Sequence, residues 1–211
     1  VSAPDVIYRD EHVIVLDKPA GLLSVPGIGP EKQDCLARRV EVRFAGARIV
    51  HRLDRETSGV IVMAMDAGSH RELSRQFEQR LVEKCYIAVV AGVVVDDDGE
   101  IDLPLRKDLN PPRPGPRHIV DHVHGRPALT RYRVLRRDAD RTHMELRPQT
   151  GRSHQLRVHL DAIGHPILGD DLYAPPAIVA MADRLLLHAQ AMSITHPATG
   201  QRLDFESPCP F

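Results

Sequence analysis

Cysteine is scarce in this chain of 211 residues, and its three copies, Cys35, Cys85 and Cys209, are odd in number and far apart. They support neither a disulfide framework nor a zinc site. No apolar run approaches the ~20 residues of a membrane span, and no secretory pattern opens the chain, so a cytoplasmic protein without a membrane partner is expected. Val1 stands where an initiator methionine is usual, and a few native residues are expected ahead of it. Internal repeats and low-complexity tracts are missing. Gly27-Ile28-Gly29-Pro30 lacks the spacing of a phosphate-cradling loop, and no other segment suggests a cofactor, so none is expected. His118, His122 and His124 resemble a metal cluster but have no Cys or carboxylate set to complete it; their expected place is a flexible basic loop, with no metal. An excess of one charge is also lacking: the formal net charge is -1, which does not by itself point to nucleic acid.

What is present is an ordinary globular composition, 42% hydrophobic and 27% charged, in a length that suits one domain or a bilobed catalytic domain. Val6 to Asp17 reads as two short strands around a polar turn, and Leu36, Val40 and Phe44 predict a helix over Asp34 to Phe44. The apolar run Val60-Ile61-Val62-Met63-Ala64-Met65 predicts a buried strand. A helix capped by Asp66 or Ser69 should follow, to about Arg80, with Leu73 and Phe77 inward. Further strands are expected at Tyr86 to Val95, Ala128 to Leu135, His143 to Leu146, Arg184 to Thr195 and Arg202 to Glu206. Pro104 to Pro116, with five prolines, should be an irregular surface loop. Arg152 to Ile163 reads as a helix with Leu156, Leu160 and Ile163 inward, closed by Gly164. This mix fits an α+β fold with a large, mainly antiparallel sheet and peripheral helices.

Just ahead of the apolar run lies His51-Arg52-Leu53-Asp54-Arg55-Glu56-Thr57-Ser58-Gly59. It puts a carboxylate between two arginines, on a polar turn feeding a rigid element, a common place for catalytic groups. A carboxylate there can act as nucleophile or base; an Arg-Asp-Arg triplet alone is as readily a solvated surface cluster. The whole block, however, resembles the H-R-L-D-x-x-T-S-G signature of the RluA-type pseudouridine synthases. So, in order, do Asp17-Lys18-Pro19-Ala20-Gly21-Leu22, Lys84-Cys85-Tyr86 through Gly92, and Thr150-Gly151-Arg152-Ser153-His154-Gln155-Leu156-Arg157-Val158-His159, which continues to Asp170. The blocks cover nearly the whole chain, from about Val6 to Phe205.

The resemblance implies one pseudouridine synthase catalytic domain over residues 1–211, with a mixed, mainly antiparallel sheet crossed by a central cleft, no room for the family's frequent S4-type RNA-binding domain, and an isomerase needing no cofactor. It implies Asp54 as the catalytic carboxylate and Tyr86 as the partner stacked on the target uracil, able to accept a proton. It also implies that Arg152 pairs with Asp54 and keeps it ionised, and that Arg52 fills the space left by the flipped base. Within the family the pattern is most like the dual-specificity members acting on 23S rRNA and the tRNA anticodon stem-loop. Two departures bear on the choice of RNA: Glu83 replaces a commonly basic residue, and Arg117 to Gly125 is His-rich. RNA is thus the expected partner, and a monomer the expected form. The rival readings are a sister synthase with another target and a non-catalytic RNA-binding or RNA-folding protein. Intact Asp54, Tyr86 and Arg152 speak against the latter.

Charge is unevenly placed. Between Pro104 and Arg137 nine Lys or Arg face two Asp, a stretch that can contact phosphates or be an ordinary charged loop and strand. Arginine outnumbers lysine 24 to 4, which suits stacking on unpaired bases. Arg113 and Arg117, in the proline-rich segment, are the candidate substrate-binding pair. Reversing both charges should weaken RNA binding and flatten its salt dependence in a titration over ionic strength. An unchanged slope would remove that loop from the interface.

Overall fold

Every residue of the strand that follows the Asp54 turn is buried, as its unbroken apolar run dictates. The computed structural model describes residues 5–112 and 116–211. In chain order it contains β1 (Asp5–Arg9), β2 (Val13–Lys18), α1 (Leu36–Arg43), β3 (Arg48–Ile49), β4 (Ser58–Ala64), α2 (Ala67–Glu78), β5 (Glu83–Ala91), β6 (Asp98–Asp102), β7 (Leu105–Lys107) and β8 (His118–Val120). These are followed by β9 (Leu129–Arg137), β10 (Arg141–Pro148), α3 (Gln155–Ala162), α4 (Pro176–Val179), β11 (Leu187–Thr195) and β12 (Arg202–Glu206). The chain divides into two compact units, residues 1–84 with 188–211, and residues 85–187. Among the described residues no helix is long and apolar enough to cross a membrane.

In the first unit β2 and β11 flank β4, with β1 beyond β2, β12 beyond β11, and β3 also on β4. All pairs are antiparallel except β4 with β11, which is parallel through His188 opposite Ser58 and Ala189 opposite Gly59. Val13, Val15, Val60 and Val62 share a core with Leu73, Met192, Ile194 and Phe205. The cap of α2 is Asp66, whose carboxylate accepts from the N–H groups of Gly68 and Ser69; the Ser69 hydroxyl donates to the same carboxylate. Helix α1 starts later than its periodicity suggests because Cys35, at its cap, has extended backbone; Asp34 ahead of it pairs with Arg39.

In the second unit β5, β10, β9 and β6 form an antiparallel sheet. Its apolar face packs Ala88, Val90, Ile101, Met144 and Leu146 against Leu156 and Leu160 of α3. Strand β6 lies in an acidic stretch where sequence patterning predicts no element. It forms because Ile101 is buried and Glu100 sits opposite Arg131 in ion-pair contact. The segment expected as an irregular loop instead contains β7, which pairs with β8 and buries Leu105. Strand β5 ends at Ala91, before Gly92, whose φ of +76° turns the chain; Val95 beyond it is exposed. Helix α3 begins three residues late, since His154 is left-handed at φ 55° and cannot join a right-handed helix.

Gly59 is the tightest point of the first unit. Its φ is +110°, and a β-carbon there would stand 2.2 Å from the Ala189 carbonyl oxygen. Only glycine allows β4 and β11 to approach so closely at that residue. Gly59→Ala is therefore expected to cost about 3 kcal/mol or more of stability, read as a lowered midpoint in denaturant. An unchanged midpoint would contradict the close approach.

Candidate active site

The Asp54 turn is built by anchoring what lies on either side of the carboxylate. Leu53 and Thr57 are buried, Asp54 is half-buried, and Arg52 is exposed. The Ser24 hydroxyl accepts from the Leu53 N–H (3.1 Å) and donates to the Leu53 carbonyl (2.7 Å), clamping that residue at both polar atoms. Lys18, fully buried, donates from Nζ to the carbonyls of Pro19 (2.8 Å), Leu22 (2.8 Å) and Arg55 (3.0 Å). Three donors on an ammonium thus meet three acceptors. The Thr57 N–H closes the turn on the Asp54 carbonyl at 3.2 Å.

Two histidines complete the support. His188 Nε2 lies 3.0 Å from the Ser207 carbonyl, an atom that can only accept, so Nδ1 accepts from the Ser58 hydroxyl at 2.9 Å. His51 stacks on Phe77 with centroids 4.4 Å apart and planes 20° apart, and its Nε2 accepts from the Val62 N–H at 3.0 Å. Burial of the ring, with the nearby Lys84 charge adding to it, lowers the His51 pKa from 6.5 to about 3. The imidazole is therefore neutral, with its proton on Nδ1, as the bond to Val62 requires. The sequence blocks contained Lys18 and His51, but no local signal gave them, or His188, these anchoring tasks.

In the second unit Tyr86 is half-buried on β5, opposite Leu146 of β10, and packs against the core below it. Arg152 is half-buried as well; its Nε donates to the Pro127 carbonyl at 3.1 Å. Its backbone is set by Gln155, the first residue of α3. The Gln155 Oε1 accepts from the Arg152 N–H (3.0 Å) and the Thr150 hydroxyl (2.7 Å), while Nε2 donates to the Leu129 carbonyl and to Thr130 Oγ1 (both 3.0 Å). Thr130 passes its own proton to His159 Nδ1 (3.0 Å), and His159 Nε2 donates to the Leu103 carbonyl (3.0 Å). Burial holds the His159 pKa below its usual value, in keeping with that acceptor role. Arg157 and Asp170, 3% and 1% exposed, form a bidentate ion pair at 2.8 and 2.6 Å.

Of the two expected phosphate contacts, Arg113 lies outside the described residues. Arg117 is engaged in the protein itself: its guanidinium donates to the Leu172 carbonyl at 2.7 Å and lies 4.9 Å over the Tyr173 ring. The basic stretch around them is largely paired. Arg106 meets Asp121, Arg131 meets Glu100, Arg133 meets Glu145, Arg136 meets Asp138 and Arg137 meets Asp97. The ordinary charged strand is thus the better reading for that part. The His-rich segment is also more ordered than expected, because Asp121 accepts from the N–H groups of Val123 and His124 and fixes a turn. Among the described residues no group of His, Cys, Asp or Glu is placed to hold a metal ion. Glu83, the departure noted next to Lys84, pairs with Arg202 through two 3.0 Å contacts.

Residues 12–162 match the RNA pseudouridylate synthase family. The chain is 51% identical over 207 residues to the dual-specificity RNA pseudouridine synthase RluA of Yersinia pestis, covering 98% of this chain and 99% of that protein. It is 49% identical to the protein of the same name from Escherichia coli K12, covering 98% and 93%. Among solved structures it resembles human RNA pseudouridylate synthase domain containing 1, with a TM-score of 0.83 and 27% identity over 99% of this chain and 84% of that one. Human RNA pseudouridylate synthase domain containing 4 gives a TM-score of 0.78 and 25% identity, over 97% and 88%.

The neutral His51 has a consequence for acid stability. Its folded pKa of about 3 lies below the ordinary 6.5, so the unfolded chain binds the extra proton between those values. Its contribution is complete above pH 6.5 and is lost progressively as the pH falls toward about 3. Denaturant titrations across that window should show a shallower loss for His51→Gln than for the unaltered protein. Identical slopes would remove His51 as the source.

Proposed function

This chain belongs to the RNA pseudouridylate synthase family and so isomerises uridine in RNA to pseudouridine, and we propose that Asp54 is the carboxylate that carries the reaction. The reaction breaks the bond from uracil N1 to ribose C1′, turns the base and rejoins it through C5. A base inside a stack cannot be reached, so the target nucleotide must leave it. Asp54 then attacks the sugar or base, or takes a proton from C2′, and later assists loss of the C5 proton. The observation that carries the assignment is its setting: a half-buried carboxylate between the buried Leu53 and Thr57, on a turn gripped by Lys18 and Ser24. Such a turn gives up little conformational freedom on binding, which is what catalytic positioning requires.

Arg152 supplies the cation that keeps the reacting carboxylate ionised, and Tyr86 the aromatic face for the target uracil. Arg52, exposed beside the catalytic residue, supplies a planar cation for the gap in the stack. Arg113 and Arg117 remain the proposed contacts to substrate phosphates. The whole chain acts as one catalytic domain, in the cytoplasm and as a monomer. Its targets are a uridine of the tRNA anticodon stem-loop and one of 23S rRNA. Support for two targets comes from the similarity over 98% of the chain to proteins named dual-specificity.

Tritium release from [5-³H]uridine-labelled tRNA and 23S rRNA fragments tests this directly, because the C5 proton leaves only when the base is reattached through C5. Release is expected from both RNAs, and Asp54→Ala should lower it by at least about a thousandfold. Release from one RNA alone would narrow the target. No release from either, with tight binding retained, would favour a folding role.

A further inference from the structure

His154 is one of two described non-glycine residues with positive φ, at 55°, a conformation that disfavours any residue carrying a β-carbon. It stands between Arg152 and Gln155, at the point where the turn becomes α3. The His118 ring packs edge-on against it, with centroids 5.3 Å apart, and the Tyr173 phenol reaches its imidazole. Tyr173 Oη lies 2.8 Å from His154 Nδ1, with the two rings edge to face. The same oxygen accepts from the His118 N–H at 2.9 Å, so its own proton is free to go to His154. Burial, the largest cause, raises the Tyr173 pKa to about 12, which keeps that proton in place at neutral pH.

Tyr173 is itself immobilised. It is 7% exposed, its N–H donates to the Asp170 carboxylate, and the guanidiniums of Arg117 and Arg157 lie over its ring at 4.9 and 5.2 Å. One hydroxyl therefore joins the β7–β8 hairpin, through His118, to the turn that presents Arg152. We propose that Tyr173 is a positioning residue for the isomerisation: its hydrogen bond keeps His154 left-handed and thereby fixes the backbone from which Arg152 projects. This rests on the reading of Arg152 as a catalytic residue. Without the phenol hydroxyl, His154 relaxes toward negative φ. The Gln155 bond to the Arg152 N–H is then drawn out of line, and the guanidinium moves with its backbone.

The test compares kcat and KM for [5-³H]uridine-labelled tRNA among Arg152→Ala, Tyr173→Phe, His154→Ala, His154→Gly and the Tyr173→Phe/His154→Gly pair, with melting temperatures recorded. Arg152→Ala should abolish turnover. Tyr173→Phe and His154→Ala should each lower kcat by about ten- to a hundredfold, the scale of a displacement of about an ångström, with KM little changed. Glycine takes positive φ without penalty, so His154→Gly and the pair should recover to within about threefold of the unaltered rate. A normal rate for Tyr173→Phe, with Arg152→Ala inactive, would overturn the inference alone. His154→Gly as slow as His154→Ala would also overturn it, by showing that the imidazole and not the backbone matters. A kcat loss in Tyr173→Phe that glycine fails to restore, with a lowered melting temperature, would mean packing only. Full activity of Arg152→Ala would remove the reading of Arg152 and the inference with it, while leaving Asp54 untouched.

Discussion

A buried ammonium sets the geometry on which the rest of the Asp54 loop depends. Lys18 has no exposed surface, and taking such a charge out of water costs several kcal/mol unless its donors are satisfied. Three backbone carbonyls accept from it, two from the turn that follows β2 and one from Arg55, beside Asp54. They must converge on one point, so the Asp17-to-Leu22 turn and the Asp54 turn are locked in a single relation. Ser24 then fixes Leu53, and the parallel pairing of β4 with β11 fixes Ser58 and Gly59. Asp54 is left little to do but present its side chain. The loop therefore acts as a rigid element while remaining a loop.

The second unit solves the same problem without a buried cation in the turn. Gln155 uses both protons of its amide and both lone pairs of its oxygen, so its buried amide is fully met. A buried polar group stripped of such partners costs roughly 1–3 kcal/mol, which holds the amide in place. It orients the Arg152 backbone, whereas the left-handed His154 decides where the helix begins. A strained residue beside a saturated network is a sign that the local conformation is dictated from outside the segment.

Much of the fold was legible. The unbroken apolar run of β4 and the alternation of β10 follow from one-dimensional patterns. So do the cap at Asp66 and the glycine after α3. The misses have a common cause. Strand β6 has no one-dimensional signal because its stabilising partner, Arg131, is 31 residues away along the chain. Strand β7 is hidden among prolines until His118–Val120 returns to pair with it. In the basic stretch, the ion pairs of Arg131, Arg133 and Arg137 are likewise hidden, because their partners Glu100, Glu145 and Asp97 lie outside Pro104 to Arg137.

By itself the sequence determined the chemistry this protein carries. The ordered blocks around Asp54, Tyr86 and Arg152 specify the family, and hydrophobic periodicity specifies most of the strands and helices, because both are properties of neighbouring residues. Tertiary structure alone decided which charges are already spent on one another. It likewise gave Lys18, His51, His188 and Gln155 the hydrogen-bond partners through which they hold their turns. A donor's function is set by the acceptor it meets. Those acceptors, the Arg55, Ser207 and Leu129 carbonyls among them, come from residues up to 37 positions distant along the chain, and only folding brings them within hydrogen-bond reach.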